Sequence, residues 1–153
     1  MRFDGIAALA LALFAYHGQA APVDEQESSA SHLLGKRAVC GGVKYSNVAM
    51  QQGFEHAIDA YKHNSRLKGS AKMRYPHSFR NDEELNSPSC KKGTPGLFEF
   101  PVYPDGKAWR PGMDPGADRA VVRDHGNGVF TQCQFMTHTG AARRNGFARC
   151  SAS

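Results

Sequence analysis

Between Val48 and Lys62 the apolar positions recur with a helical period. Met50, Phe54, Ala57, Ile58 and Tyr61 stand at i, i+4, i+7, i+8 and i+11, one stripe down the side of an α-helix. Asn47 occupies the expected N-cap. His56 and His63 lie off the stripe and read as solvated surface histidines. After a polar, basic stretch from Asn64 to Arg74 the pattern changes to short runs separated by Gly and Pro signals: Tyr75–Phe79, Leu97–Tyr103, Arg119–Arg123 and Val129–His138. No segment between them has helical length, so the strands are expected to pair antiparallel through short connections. One helix followed by several strands predicts an α+β domain, with the helix packed on a curved antiparallel sheet.

Alternation assigns faces. In the Leu97 run, Phe98, Phe100 and Val102 point one way, toward the helix, and Glu99 points the other. In the last long run, Cys133 and Phe135 share one face, while Gln132, Gln134, Met136 and His138 share the opposite one. Two strands therefore each set a titratable group on what reads as an open face.

The ends of the chain carry a different pattern. Arg2, the apolar run Ile6–Ala15, and the small residues Gly18 and Ala20 before Ala21 read as a secretory signal peptide over residues 1–20, and the run is too short to span a bilayer. Residues 21–37 are acidic and Ser-rich and end in the dibasic Lys36-Arg37, which reads as a propeptide. The mature domain is then 38–153, a single domain of 116 residues that is expected to be a secreted monomer with no stable membrane association. The full chain carries 19 basic and 14 acidic residues. Removing the three basic and four acidic residues of the leading segments leaves a mature net charge of +6. Such a charge suits nucleic acid, acidic polysaccharide or an anionic surface, and does not choose among them. Cys40, Cys90, Cys133 and Cys150 all fall in the mature part. They imply two disulfides among three pairings, and none has zinc-site spacing.

The chemistry lies in an ordered set of motifs: Tyr75-Pro76-His77, Phe98-Glu99-Phe100-Pro101, Pro115-Gly116-Ala117-Asp118-Arg119, Thr137-His138-Thr139-Gly140-Ala141, and Phe147 three residues before Cys150. Taken singly, a Glu in a strand or an isolated His is ordinary. Taken together and in this order, they make the chain resemble the fungal guanyl- and purine-specific extracellular ribonucleases, whose relatives include ribotoxins such as sarcin. The resemblance runs from Cys40-Gly41-Gly42 to Cys150 and is nearest to the purine-preferring smut-fungus ribonuclease.

This resemblance implies a disulfide-bonded microbial ribonuclease fold and cleavage of single-stranded RNA by transesterification, without metal or organic cofactor. Glu99 matches the general base and His138 the general acid. His77 matches an assisting histidine, and Arg119 the phosphate-binding arginine. Tyr75 and Phe147 match residues that touch the phosphate and shape its pocket. Counting from His77, Glu83 falls on the carboxylate that accepts from the base edge, Asn81 lies near a base contact, and Phe79 is placed to flank or stack on the base. Asn145 is a further base-site candidate. The implied pairings are Cys40–Cys150 and Cys90–Cys133. Trp109 and His125 read as a packing residue and an exposed turn residue, while Arg143 and Arg144 are candidates for distant phosphates.

Two other readings compete. A ribotoxin-like enzyme would cut one loop of ribosomal RNA, but only eight residues separate Cys90 from Glu99, with Lys91 and Lys92 their only charges. That leaves no room for a long Lys-rich arm. A non-catalytic RNA-binding effector would have lost the motif residues, and all six are present.

Overall fold

The computed structural model describes residues 37–63, 74–85 and 87–153. The expected signal peptide and all of the expected propeptide except Arg37 lie outside the described residues, as do residues 64–73. In chain order come β1 (Ala38–Cys40), β2 (Val43–Tyr45), α1 (Asn47–His63), β3 (His77–Ser78), a one-turn 3₁₀ helix (Pro88–Cys90), β4 (Leu97–Pro101), β5 (Asp118–Gly126), β6 (Val129–Thr137), β7 (Ala148–Arg149) and β8 (Ser151–Ala152). Five strands form one antiparallel sheet in the order β3-β4-β5-β6-β7, and a smaller sheet has the order β2-β1-β8. The expected α+β architecture of one helix on an antiparallel sheet is what the chain adopts. Both disulfides form with the implied pairing, Cys40–Cys150 and Cys90–Cys133.

Helix α1 starts one residue earlier than the periodicity indicates. The Ala49 amide donates to Ser46 Oγ at 3.1 Å, so Ser46, not Asn47, caps the first turn. The apolar stripe is buried as patterned. Tyr61 stacks on Phe98 with ring centroids 4.1 Å apart, and Phe54 meets Phe135 at 5.0 Å. Phe98, Phe100 and Val102 all face this helix-side core. His56 departs from expectation. It is half-buried, with Nε2 3.1 Å from the Gly106 carbonyl, so it ties the helix to the loop after β4.

Alternation along β6 holds only from Gln134 onward. Val121 pairs with Gln134 but Val122 pairs with Gln132, so Cys133 is the extra residue of a β-bulge. The bulge breaks the two-residue period. Phe135 stays in the helix-side core, whereas Cys133 packs on the opposite face beside Cys90, contrary to the shared face expected for the pair. Gln132 is displaced from the face of Met136 for the same reason, pairing with Val122 of the helix-side core.

The strand expected over Tyr75–Phe79 narrows to His77–Ser78, and the connection from β4 to β5 is a long loop rather than a short turn. Trp109 anchors that loop as a packing residue. Its indole donates to the Met113 carbonyl at 3.0 Å, and its ring meets Tyr75 and Phe100. The β5–β6 hairpin turns on Asn127 and Gly128, both at positive φ, the geometry a two-residue hairpin needs and Asn-Gly supplies. Among the described residues, no helix is long and apolar enough to cross a membrane.

Candidate active site

The sheet face away from α1 has its own apolar layer, in which Phe79, Leu85, Leu97, Val121 and Met136 surround Cys90. The titratable groups sit beside this layer. His77 on β3 pairs across the ladder with Glu99 on β4, and Glu99 pairs in turn with Val121 on β5. Arg119 lies two residues before Val121, and the His138 amide donates to the Ala117 carbonyl at 3.0 Å, two residues before Arg119. Arg119 is thus midway between the positions that hold Glu99 and His138. The two-residue period of a strand puts it on their face.

Glu99 is 8 % exposed, and its Oε1 lies 3.7 Å from His77 Nδ1. The Nε2 atom of His77 is buried without a hydrogen-bond partner among the described residues. The His77 ring stacks on Tyr75 at 4.2 Å and 26°. Burial pushes the Tyr75 hydroxyl above its ordinary pKa, with Glu99 adding to the effect and Arg119 opposing it. That hydroxyl accepts from Arg119 Nη2 at 2.7 Å, which leaves its own proton to donate outward.

Arg119 is 3 % exposed and held from behind. Its Nη1 donates to the carbonyls of Pro115, Gly116 and Asp118 at 2.8–3.0 Å. The Nη1 protons are therefore spent on the backbone and one Nη2 proton on Tyr75. The Nε–H is unpaired among the described residues, and with the second Nη2 proton it makes a side-on pair of donors for an oxyanion.

His138 follows β6 and is oriented by one backbone group and one side chain. Its Nδ1 lies 2.7 Å from the Gly146 carbonyl, which can only accept, so Nδ1 carries the proton and Nε2 is free for proton transfer. The Phe147 ring stacks on the imidazole at 4.0 Å and 28°. The carbonyl carries no sequence signal, because every residue has one whatever its side chain.

The residues singled out for the base are placed unevenly. Asn81 is buried, at φ 56°, with Nδ2 donating to the Cys90 carbonyl at 2.8 Å and Oδ1 accepting from the Leu85 amide at 2.7 Å. Its side chain is committed to shaping its own loop. Phe79 is buried and packs edge-on against Phe147 at 5.6 Å, a supporting place rather than an open face for stacking. Glu83 is half-buried and accepts from the Phe147 amide at 2.9 Å. Asn145 is exposed at φ 61°, just before Gly146-Phe147, at the tip of the turn closed by Gly146 N–H and the Arg143 carbonyl. Arg143 and Arg144 are exposed, and so is His125, whose Nε2 lies 2.7 Å from Thr131 Oγ1. Among the described residues, no group of three or more His, Cys, Asp or Glu is placed to hold a metal ion.

A sheet face that offers a carboxylate, two imidazoles and an oriented guanidinium, backed by a single helix, defines the class of microbial ribonucleases. A ribonuclease family model matches residues 35–151. The chain is 31 % identical over 113 residues to guanyl-specific ribonuclease N1 of Neurospora crassa, covering 74 % of this chain and 65 % of the relative. It is 33 % identical over 112 residues to guanyl-specific ribonuclease C2 of Aspergillus clavatus (73 % and 75 % covered). It is 32 % identical over 111 residues to guanyl-specific ribonuclease Ap1 of Aspergillus pallidus (72 % and 94 % covered). The chain spans just under two thirds of the Neurospora relative and nearly all of the Aspergillus pallidus one. It belongs to the fungal guanyl-specific ribonuclease family.

Proposed function

We propose that the protein is a secreted endoribonuclease that cleaves single-stranded RNA after purines, guanine favoured, through a 2′,3′-cyclic phosphate. The observation that carries this reading is the alignment of Glu99, Arg119 and His138 along one face of the sheet, as the strand register and the His138–Ala117 hydrogen bond set it. The ribose 2′-hydroxyl attacks the adjacent phosphorus, and Glu99 takes its proton. As the bond to the 5′-oxygen breaks, His138 Nε2 delivers a proton to that oxygen. Arg119 Nε–H and the Tyr75 hydroxyl donate to the non-bridging oxygens, where negative charge builds. His77, with Nδ1 3.7 Å from the Glu99 carboxylate, is placed to assist it. Phe147 walls the pocket over His138. The nucleophile comes from the substrate, so DNA does not react.

The relatives' names support the guanine preference, and Glu83 and Asn145 are the side chains assigned to meet the base. The two disulfides support passage through an oxidising compartment, as the signal peptide over 1–20 and propeptide over 21–37 require. The test is cleavage of synthetic single-stranded RNAs differing at one base, in EDTA, with the mature domain and its Glu99→Gln and His138→Gln variants. Cyclic-phosphate ends after purines are expected, with each variant losing about 10²–10⁴-fold in rate. A folded, oxidised wild-type protein that leaves every RNA intact would overturn the reading in favour of an RNA-binding role.

A further inference from the structure

The Gly146–Phe147 peptide is held at both ends by side chains. Its carbonyl lies 2.7 Å from His138 Nδ1, and its N–H donates to Glu83 Oε1 at 2.9 Å. A peptide unit is planar and rigid, so fixing the N–H fixes the direction of the carbonyl. It also fixes the start of Phe147, whose ring stacks on His138 at 4.0 Å. Two of the contacts that orient the imidazole thus depend on one carboxylate.

Glu83 is itself held in place. Arg149 Nη2 donates to the Glu83 carbonyl at 3.2 Å and also to the Glu84 carbonyl, tying this loop to β7. On the other side Asn81 ties the same loop to Cys90. An added Cβ at Gly146 would lie 3.3 Å from Glu83 Oε1 and 3.1 Å from the Arg143 carbonyl, so the carboxylate is seated closely against this turn.

We propose that Glu83 is a positioning residue for His138, acting through the Gly146–Phe147 peptide whatever base occupies the site. The proposal rests on His138 being the proton donor of the reaction above. Bonds in such a chain polarise one another: a carboxylate pulling on the N–H makes the carbonyl at the other end a better acceptor for Nδ1–H. The second oxygen of Glu83 takes no hydrogen bond among the described residues, so the same side chain is able to meet a base edge while it holds the peptide. Base recognition and aim of the acid would then share one group.

The test separates the two duties. Single-turnover rates are measured, with enzyme in excess, on two dinucleotides that carry guanine or uracil on the 5′ side of the cleaved bond. Wild type, Glu83→Ala and Glu83→Gln are compared. Glu83→Ala is expected to slow cleavage of both dinucleotides, between about 10- and 100-fold, because misplacing a reacting group costs up to roughly that much. Glu83→Gln, whose amide oxygen still accepts from Phe147 N–H, is expected to recover most of the loss on uracil. Hydrogen exchange of the Phe147 amide gives a reading independent of activity: slow in wild type and Glu83→Gln, fast in Glu83→Ala. A Glu83→Ala variant that slows the guanine dinucleotide alone, or that keeps a protected Phe147 amide, would overturn the proposal and leave Glu83 a base ligand only. A wild-type protein that cleaves neither dinucleotide would instead remove the enzymatic reading on which the proposal stands.

Discussion

At the scale of single residues the fold depends on a buried hydroxyl as well as on its apolar side chains. Tyr45 is 1 % exposed, and its hydroxyl donates to Asp118 Oδ2 at 2.7 Å. Burial, and then the bond and charge of Asp118, hold the hydroxyl well above the ordinary tyrosine range. The folded state therefore keeps a proton that the unfolded chain releases near pH 10. Below that pH the contribution of Tyr45 is fully present. As pH rises past 10 it declines by at most about 1.4 kcal/mol per pH unit. Tyr75 and Tyr103, raised in the same direction, add to the trend. Tyr45→Phe is expected to flatten the alkaline fall in stability. At neutral pH the variant should lose about 1–3 kcal/mol, because Asp118 stays buried without its donor. Urea unfolding at pH 7 and pH 10.5 checks both; equal slopes in the two proteins would show that Tyr45 is not the group that titrates.

At the scale of elements, what was legible in the chain was what is local. The α1 stripe and the Leu97 alternation are set by neighbours three, four or two positions away, so reading the sequence recovers their buried faces. The cap at Ser46 and the bulge at Cys133 were not legible, because each depends on where a hydrogen bond lands rather than on residue type. Strands β1 and β8 escaped for a related reason. Runs of two or three residues such as Ala38–Cys40 and Ser151–Ala152 have no periodicity, and these two pair with each other from segments far apart in sequence. Around the candidate site, motif order singles out Glu99, His77, Arg119 and His138, which the sheet brings to one face, but the carbonyl beside His138 and its link to Glu83 are backbone matters. A helix residue shows the same limit. Gly53 lies mid-helix, where Ala would gain about 1 kcal/mol by propensity. An added Cβ, however, would sit 2.8 Å from Val102 Cγ1 and 2.9 Å from Phe135 Cζ, both in the buried core. Overpacking of this kind costs about 1–3 kcal/mol. Gly53→Ala is expected to lower the melting temperature, and a raised one would mean that α1 shifts outward without penalty.

At the scale of the whole molecule the two disulfides have different consequences although their loops are worth similar amounts. Cys40–Cys150 closes 110 residues and joins the small sheet to the end of the chain, while Cys90–Cys133 closes 43. In the chain-entropy model the two differ by under about 1 kcal/mol, near 5 and near 4 respectively. Their surroundings separate them. Cys90 sits in the apolar layer under the open face, and its carbonyl holds Asn81, which shapes the loop that carries Glu83. Cys133 is the bulged residue of the strand that leads to His138. Loss of this bond frees both the loop and the strand at the site. Cys40 and Cys150 belong instead to the helix-side core. The paired variants Cys40→Ser/Cys150→Ser and Cys90→Ser/Cys133→Ser are therefore expected to melt at similarly lowered temperatures. Assayed on RNA well below both transitions, the first should retain kcat/KM within about threefold, whereas the second should fall by about tenfold or more, since a small misplacement of reacting groups is costly. Equal activity in the two variants would mean that the site is held by its sheet and hydrogen bonds alone, and that the Cys90–Cys133 bond serves stability in the same way as the bond between the ends.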